Sequence, residues 1–277
     1  MGPASAELGR ALATGRTAEI YAWGEGRVLK LFYPPWGEEV ARREAETTAV
    51  VNAAGLPAPA VHGLAAVDGR WGIVYERVSH PSLLAVSLRR PWRLPWAARQ
   101  LAELHVRLHA HRVPGLPRLH ERLADRIQSV DAHRVPAEVC RAVLEALEKL
   151  PSDDRLCHGD LHPENVVLGP NGPIILDWLD ASSGPPLADV ARTSLLLAHA
   201  ALLKAMPGRR FIQAIRHLLQ REYLRVYFHH SRQALEALAP WVPVVAAARL
   251  AEDIPEERPG LMALIRHLPP SGAARSR

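Results

Sequence analysis

The chain has 277 residues, 48% of them hydrophobic, enough to bury a substantial core as one large domain or two lobes. Its two cysteines, Cys140 and Cys157, have no spacing that suggests a disulfide framework or a zinc site, and the net charge of +5 rests almost wholly on Arg, with Lys30, Lys149 and Lys204 the only lysines. Met1 to Arg10 lacks an apolar h-region and no apolar run approaches the roughly 18 residues needed to cross a bilayer, so a cytoplasmic protein with no membrane partner is expected.

In chain order, Leu8 to Val28 holds short strand-like runs with small residues between them. Gly15-Arg16-Thr17, opening the run to Tyr21, reads either as a plain hairpin turn or as a tight turn whose backbone N–H groups face phosphate oxygens. Val28 to Tyr33 is a strand by composition. Its period of two puts Lys30 on one face with Val28 and Phe32, and Leu29, Leu31 and Tyr33 on the other. A lysine among apolar neighbours needs an anionic partner, because an unpaired buried charge is costly; an edge-strand lysine reaching into water is the alternative. Glu38 to Ala54 reads as a helix ended by Gly55. On it, Glu44 shares a face with Val40, Thr48 and Val51 and is a candidate to turn inward and hold Lys30, while Glu46, about 200° away, competes for that part. Ala60 to Val67 and Trp71 to Val78 flank Asp68-Gly-Arg70, a hairpin signal, and complete an expected five-stranded antiparallel sheet with the Glu38 helix packed on it.

From Pro95 the pattern turns helical. Leu101, Leu104 and Leu108 form a stripe, with His105 and His109 beside it at a spacing of four. Two histidines so spaced can bind a metal, but no third ligand is evident in the sequence, and helix packing is the preferred reading. Between Arg89 and Arg134 ten arginines stand against four acids; this reads as the solvated side of amphipathic helices, and no zinc finger, RNA-binding aromatic signature or basic tail argues for nucleic acid. Helices are expected over Pro117 to Val130, Pro136 to Leu150 and Pro186 to Leu203, with two or three more between Arg209 and Leu268. Asp189 could cap or charge-complement the third of these. Glu252, Asp253, Glu256 and Glu257 read as a solvated helix end, with a pocket for a cationic substrate as the alternative.

The densest chemistry lies at Leu156 to Leu168, continued by Pro173 to Asp180. Val166 to Leu168 and Ile174 to Leu176 are apolar runs separated by Gly169-Pro-Asn-Gly-Pro173, which predicts a hairpin with a five-residue turn. Pairing Leu168 with Ile174 would set Asn165 opposite Asp177, with side-chain roots roughly 5 Å apart. An amide and a carboxylate so placed suit Mg²⁺, a hard cation that takes one or two carboxylates plus substrate phosphates. Asp160 stays outside the hairpin, free to take a proton.

His158-Gly-Asp-Leu-His-Pro-Glu-Asn165, followed by Ile175-Leu-Asp-Trp178, resembles the catalytic core of the aminoglycoside phosphotransferase and choline kinase group of small-molecule kinases. It is similar to the catalytic loop and metal-binding Asp of protein kinases, with Gly159 where those usually carry Arg. The resemblance implies an α+β, two-lobe protein-kinase-like fold: a small antiparallel-sheet nucleotide-binding lobe with one main helix over 1–78, and a larger, mostly helical lobe with the catalytic loop and acceptor site over 79–268. Composition suggests a disordered tail over 269–277. The implied reaction moves the γ-phosphoryl group of ATP to a hydroxyl of a small molecule such as an aminoglycoside, amino alcohol or sugar, with ATP and Mg²⁺ required and a monomer or homodimer as the working form. Asp160 would accept or orient the hydroxyl proton, Asn165 and Asp177 would hold Mg²⁺, and Lys30, fixed by Glu44, would pair with the α/β-phosphates. By the same resemblance Gly15, Arg16 and Thr17 form a degenerate phosphate loop, Glu76 and Val78 offer backbone groups to the adenine edge, and Asp189 braces the catalytic loop. His158 is expected to pack under that loop, and Asp180 could contact metal, substrate or backbone.

Two readings of other kinds compete. One is a catalytically silent ATP-binding regulatory protein of the same fold; the other is a metal-dependent hydrolase built on His158, Asp160 and His162, which lacks the further His and Asp cluster such a site needs. A protein kinase is disfavoured because only Leu179 to Pro186 lies between the metal Asp and the next helix.

Overall fold

The computed structural model describes residues 8–131, 135–200, 209–266 and 268, with backbone alone for 209–211; Lys204 and the tail over 269–277 lie outside them. Two compact units divide the chain, Met1–Val86 with Glu164–Ala181, and Ser87–Pro163 with Ser182–Arg277.

The first unit is built on β1 (Ala13–Thr14), β2 (Ala18–Ala22), β3 (Arg27–Phe32), α1 (Glu38–Ala53), β4 (Val61–Val67) and β5 (Arg70–Glu76). The strands form one antiparallel sheet in the order β1-β2-β3-β5-β4. Strand β3 divides its side chains as its period of two requires. Phe32 and Val28 pack with Ala41 and Ala45 of α1 and with Ile73 and Tyr75, whereas Leu29 and Leu31 pack with Val67 and Val74 on the opposite face. Each such fully buried aliphatic or Phe side chain contributes about 1.5–3 kcal/mol. Helix α1 starts with Glu38 and Glu39 in its first turn, which suits the positive end of the helix dipole. It stops where Gly55 takes φ +76°, a left-handed conformation that side chains resist. Asp68 and Gly69, both at positive φ, make the two-residue turn between β4 and β5.

Helix α2 (Leu83–Arg89), which the sequence pattern did not suggest, precedes a short 3₁₀ turn and α3 (Leu94–His109). The second unit continues with α4 (Leu119–Gln128), α5 (Ala137–Glu148) and β6 (Arg155–Cys157). The next hairpin, β7 (Val166–Gly169) and β8 (Gly172–Ile175), belongs to the first unit. The amide of Ile175 donates to the Pro57 carbonyl at 2.6 Å and that of Leu168 to Pro81 at 3.1 Å, which ties the hairpin to the sheet unit although it lies far along the chain. A boundary near residue 78, as read from the sequence, leaves out this return of the chain.

Then come β9 (Ser182–Gly184), paired with β6, α6 (Pro186–His199), α7 (Arg209–Ser231), α8 (Trp241–Leu250) and α9 (Arg258–Ile265). Helix α6 is buried on nearly every side and packs against α7 and α8, while α3 packs along α7. It ends at His199, short of the expected Leu203, which lies outside the described residues.

Candidate active site

The hairpin register differs from the one expected. Val166 pairs with Ile175, Val167 with Ile174, Leu168 with Pro173 and Gly169 with Gly172, so the turn holds two residues, Pro170 and Asn171, instead of five. The two glycines allow this tight closure: a Cβ on Gly169 would stand 3.0 Å from the Gly172 carbonyl, and Gly172 takes φ +125°. The slip of one residue puts Leu176 beside Asn165, whose carbonyl accepts the Leu176 N–H at 2.8 Å. Asp177 leaves the ladder at φ +61°. A one-residue slip turns a side chain to the opposite face of a strand, and the left-handed backbone at Asp177 re-aims it.

Re-aimed in this way, Asp177 reaches Lys30, with Oδ1 3.1 Å from Nζ. The same ammonium donates to both oxygens of Glu44, at 2.8 and 2.9 Å, and the Tyr75 hydroxyl donates to Glu44 Oε1 at 2.9 Å. Glu44 is fully buried, and Glu46 is exposed. Burial works against the Lys30 charge, but Glu44 and then Asp177 outweigh it and hold the ammonium pKa above its ordinary value. Lys30 thus stands as a fixed cation between a buried carboxylate and a partly exposed one. Lys30 engages Oδ1 of Asp177; Oδ2 has no protein partner among the described residues, and the side chain is 39% exposed. Oxygen donors of this kind, together with the Asn165 amide on the same hairpin, fit a hard divalent cation.

The β1–β2 turn carries Gly15, Arg16 and Thr17. The Gly15 N–H donates to the Ala18 carbonyl at 2.8 Å, so that group is spent on the turn itself. Glu76 closes β5, its N–H bound to the Ala60 carbonyl at 2.9 Å, and Val78 follows two residues later.

In the second unit Asp189, in the first turn of α6, anchors the loop that starts at His158. Its Oδ2 accepts the His158 N–H at 2.6 Å and its Oδ1 the Gly159 N–H at 2.9 Å. His105 Nε2 and His109 Nε2 approach the same Oδ2 at 2.9 and 3.4 Å, and their Nδ1 atoms meet the hydroxyls of Tyr223 and Tyr227 at 2.6 and 2.8 Å. The proton inventory closes if each tyrosine O–H donates to Nδ1 and each Nε2–H donates to Asp189. Asp189 is the third oxygen-bearing partner that the two histidines lacked in the sequence, but all four ring nitrogens are engaged in hydrogen bonds, so the group reads as a satisfied network. Burial would raise the Asp189 pKa, yet His105 and then His109 hold it well below the usual carboxylate range. Burial, reinforced by the neighbouring His105 ring, lowers the His109 pKa to about 4.

Asp160 follows this braced turn, and its N–H donates to His158 Nδ1 at 3.1 Å. His158 is fully buried beneath the loop. Arg192, one turn beyond Asp189 on α6, donates from Nη2 to Asp160 Oδ1 at 3.2 Å and from Nε to the Gly159 carbonyl at 3.2 Å. His162 Nε2 lies 3.5 Å from Asp160 Oδ2. Burial pushes the Asp160 pKa up, but His162 and Arg192 more than offset it and hold the group well below its ordinary range.

Two of the four acids after α8 depart from the expected solvated helix end. Glu252 accepts from Arg192 and from Arg249, each at 2.5 Å, and Glu257, 3% exposed, takes a two-pronged pair with Arg249 at 2.8 and 3.0 Å. In such surroundings a carboxylate must be paired. Asp253, exposed and paired at the surface with Arg258, and exposed Glu256 fit the solvated reading.

Sequence reasoning missed Arg192, Tyr75, Tyr223 and Tyr227. Arg192 had a signal, its spacing of three from Asp189 on one helix. The tyrosines repeat the four-residue spacing of His105 and His109, but that two helices 118 positions apart would bring the pairs together was not readable.

With this geometry described, relatives can be compared. The chain belongs to the phosphotransferase enzyme family, whose pattern it matches over residues 9–241. By that membership it is a phosphotransferase. Among solved structures it resembles aminoglycoside phosphotransferase APH(4)-Ia, at 15% identity and a TM-score of 0.65, covering 93% of this chain and 92% of that one. It also resembles an aminoglycoside-3′-phosphotransferase of type VIII, at 21% identity and a TM-score of 0.61, over 87% and 92%. A choline/ethanolamine kinase family protein from Mesorhizobium loti gives 17% identity and a TM-score of 0.58, over 93% and 86%. These likenesses share the kinase-like α+β architecture. No curated protein sequence matches the chain. No helix among the described residues is long and apolar enough to cross a membrane.

Proposed function

We propose that this enzyme phosphorylates a hydroxyl of an amine-bearing small molecule of the aminoglycoside or amino alcohol type, with Asp160 as the group that meets that hydroxyl. The observation that carries the nucleotide half of this reading is Lys30, a permanent cation held by buried Glu44 and reaching Asp177. In that assignment Lys30 binds the α- and β-phosphates. Asn165 and Asp177 hold Mg²⁺, which when bound neutralises phosphate oxygens. Arg16 and Thr17 cover the phosphates from the β1–β2 turn, where Gly15 supplies the bend, and Glu76 and Val78 meet the adenine edge. The first unit then serves the nucleotide and the second the acceptor. Asp160 is held ionised by its surroundings, so it acts mainly by orienting the hydroxyl and takes up the proton late, as the phosphoryl group transfers. His158 and Asp189 support the loop. Positioning and charge neutralisation carry the rate enhancement.

The acceptor class is supported by APH(4)-Ia, which has been solved in a ternary complex with AMP-PNP and hygromycin B. A cytoplasmic enzyme fits the two unpaired cysteines, and a monomer or homodimer is the working form we assign it.

The test is ADP release from Mg-ATP against a panel holding hygromycin B, other aminoglycosides, choline and ethanolamine, with ³¹P NMR of the product. A phosphate monoester on one of these, lost in Asp160→Asn while ATP binding persists, is the expected result. Turnover in that variant at the wild-type rate overturns the role of Asp160, and ATP binding without product on any hydroxyl overturns the acceptor class.

A further inference from the structure

On the left-handed turn that presents Asp160, the loop's own His162 reaches Oδ2 at 3.5 Å, which leaves Oδ1 to a group from elsewhere. Gly159 takes φ +80°, where a residue with Cβ is strained, so no cation can be carried at that position without distorting the loop. The cation comes instead from α6. Arg192 Nε holds the Gly159 carbonyl and Nη2 holds Asp160 Oδ1, each at 3.2 Å, so one planar guanidinium grips the backbone and the carboxylate of adjacent residues. Two donors fixed in a plane specify an orientation, which a lysine's point charge does not.

The guanidinium is held in turn. Its side chain is 8% exposed, and Glu252 accepts from Nη2 at 2.5 Å. Glu252 is shared with Arg249, and Arg249 is locked by buried Glu257. A buried arginine with one carboxylate at 3.2 Å and another at 2.5 Å leans on the stronger pair, so the acids after α8 set where Arg192 stands. We propose that Arg192, clamped by Glu252, is the positioning residue for Asp160, fixing the rotation of its carboxylate toward the acceptor hydroxyl, and that the Glu252–Arg249–Glu257 chain makes the segment after α8 part of the catalytic apparatus.

This rests on the reading that Asp160 meets the acceptor. The charged and titratable groups that face Asp160 include His158 and His162 on its own loop and Arg192 on α6, with Glu252 behind Arg192. Removing the α6 cation therefore frees the carboxylate's rotation and makes it easier to protonate.

The experiment uses the full chain and two readouts. The first is ¹³C NMR titration of the Asp160 carboxylate, assigned by its loss in Asp160→Asn, in wild type, Arg192→Met, Arg192→Lys and Glu252→Gln. The second is ADP release from Mg-ATP with water as acceptor, which needs no identified substrate, followed across pH. In Arg192→Met the Asp160 midpoint should rise by at least one pH unit. The kcat should fall tenfold or more with the KM for ATP changed less than threefold, and the acid limb of the rate profile should move upward. Arg192→Lys should restore the midpoint but only part of kcat, because charge returns without the fork. Glu252→Gln, which retains the arginine but loosens its clamp and so serves should the methionine variant fail to fold, should lower kcat at least threefold with KM for ATP unchanged. An Asp160 midpoint unmoved in Arg192→Met, or a shifted midpoint with wild-type kcat, overturns the proposal. Turnover that survives in Asp160→Asn overturns the underlying assignment instead, and the titration still decides whether Arg192 governs the carboxylate.

Discussion

Lys30 and Glu44 form a buried ion pair whose two halves depend on each other. Removing one partner of such a pair leaves an uncompensated charge and costs about 3–5 kcal/mol. Glu44→Ala should therefore lower the unfolding free energy, measured by urea denaturation, by an amount in that range and weaken ATP binding, because Asp177 alone then orients the ammonium. Glu46→Ala, an exposed change two residues along the helix, should leave both within error. His109 offers a separate test through pH. Its pKa is about 4 in the folded chain against an ordinary value near 6.5, so between those values the unfolded chain binds the proton and the folded chain does not. Stability rises with pH wherever the unfolded state binds more protons. It should thus fall as pH drops from about 6.5 toward about 4, this group contributing up to roughly 1.4 kcal/mol per pH unit. His109→Gln should flatten that part of the curve, measured by denaturant unfolding at a series of pH values. The spacing of His105 and His109 was legible in the sequence, but the carboxylate between them was not, since Asp189 lies 80 positions from His109 and arrives through helix packing.

Among the elements, β3 and the β7–β8 hairpin decide where the chemistry stands. The alternation in β3 was readable because a strand's period is fixed by covalent geometry, and Lys30 lies on the face with Val28 and Phe32. Gly72 on β5 is what lets β3 come close. A Cβ there would stand 2.6 Å from the Lys30 carbonyl and 2.8 Å from Leu29 Cδ1. Gly72→Ala should destabilise the protein by about 1–3 kcal/mol, as overpacking does, and should raise the KM for ATP by displacing the strand that carries Lys30. Wild-type values for both would show that the strand yields without cost. The hairpin is the case where the expected register was off by one. Five turn-forming residues in a row permit a loop of five or of two, and the close approach of Gly169 to Gly172 selects two. Asp177 still reaches Lys30, because its own backbone turns left-handed, which no pattern of apolar residues announces.

On the scale of the whole molecule, ATP with Mg²⁺ should bind the folded chain and not the unfolded one, so it should raise the melting temperature in a concentration-dependent way. At a ligand concentration of 100 Kd the gain is about 2.7 kcal/mol. Chelation of divalent metal by EDTA should remove most of that gain and all turnover. In Asp177→Ala the Mg²⁺-dependent part of the shift should vanish, and a full shift there would remove Asp177 from the metal site. The phosphotransferase family and the motif residues of the 158–165 and 175–178 runs were legible in the sequence itself, because a motif is a matter of residue type and spacing. The alternation of β3, the helix carrying Glu44 and the five-stranded sheet were set there too, since local periodicity and turn chemistry are short-range properties. Only the tertiary structure decided the register of the hairpin, the return of residues 164–181 to the sheet unit, the convergence of His105, His109, Tyr223 and Tyr227 on Asp189, and the conversion of Glu252 and Glu257 into partners for arginine. Each of these depends on which distant groups are buried together, and a buried charge or donor takes its partner from whatever the packing brings within hydrogen-bond reach.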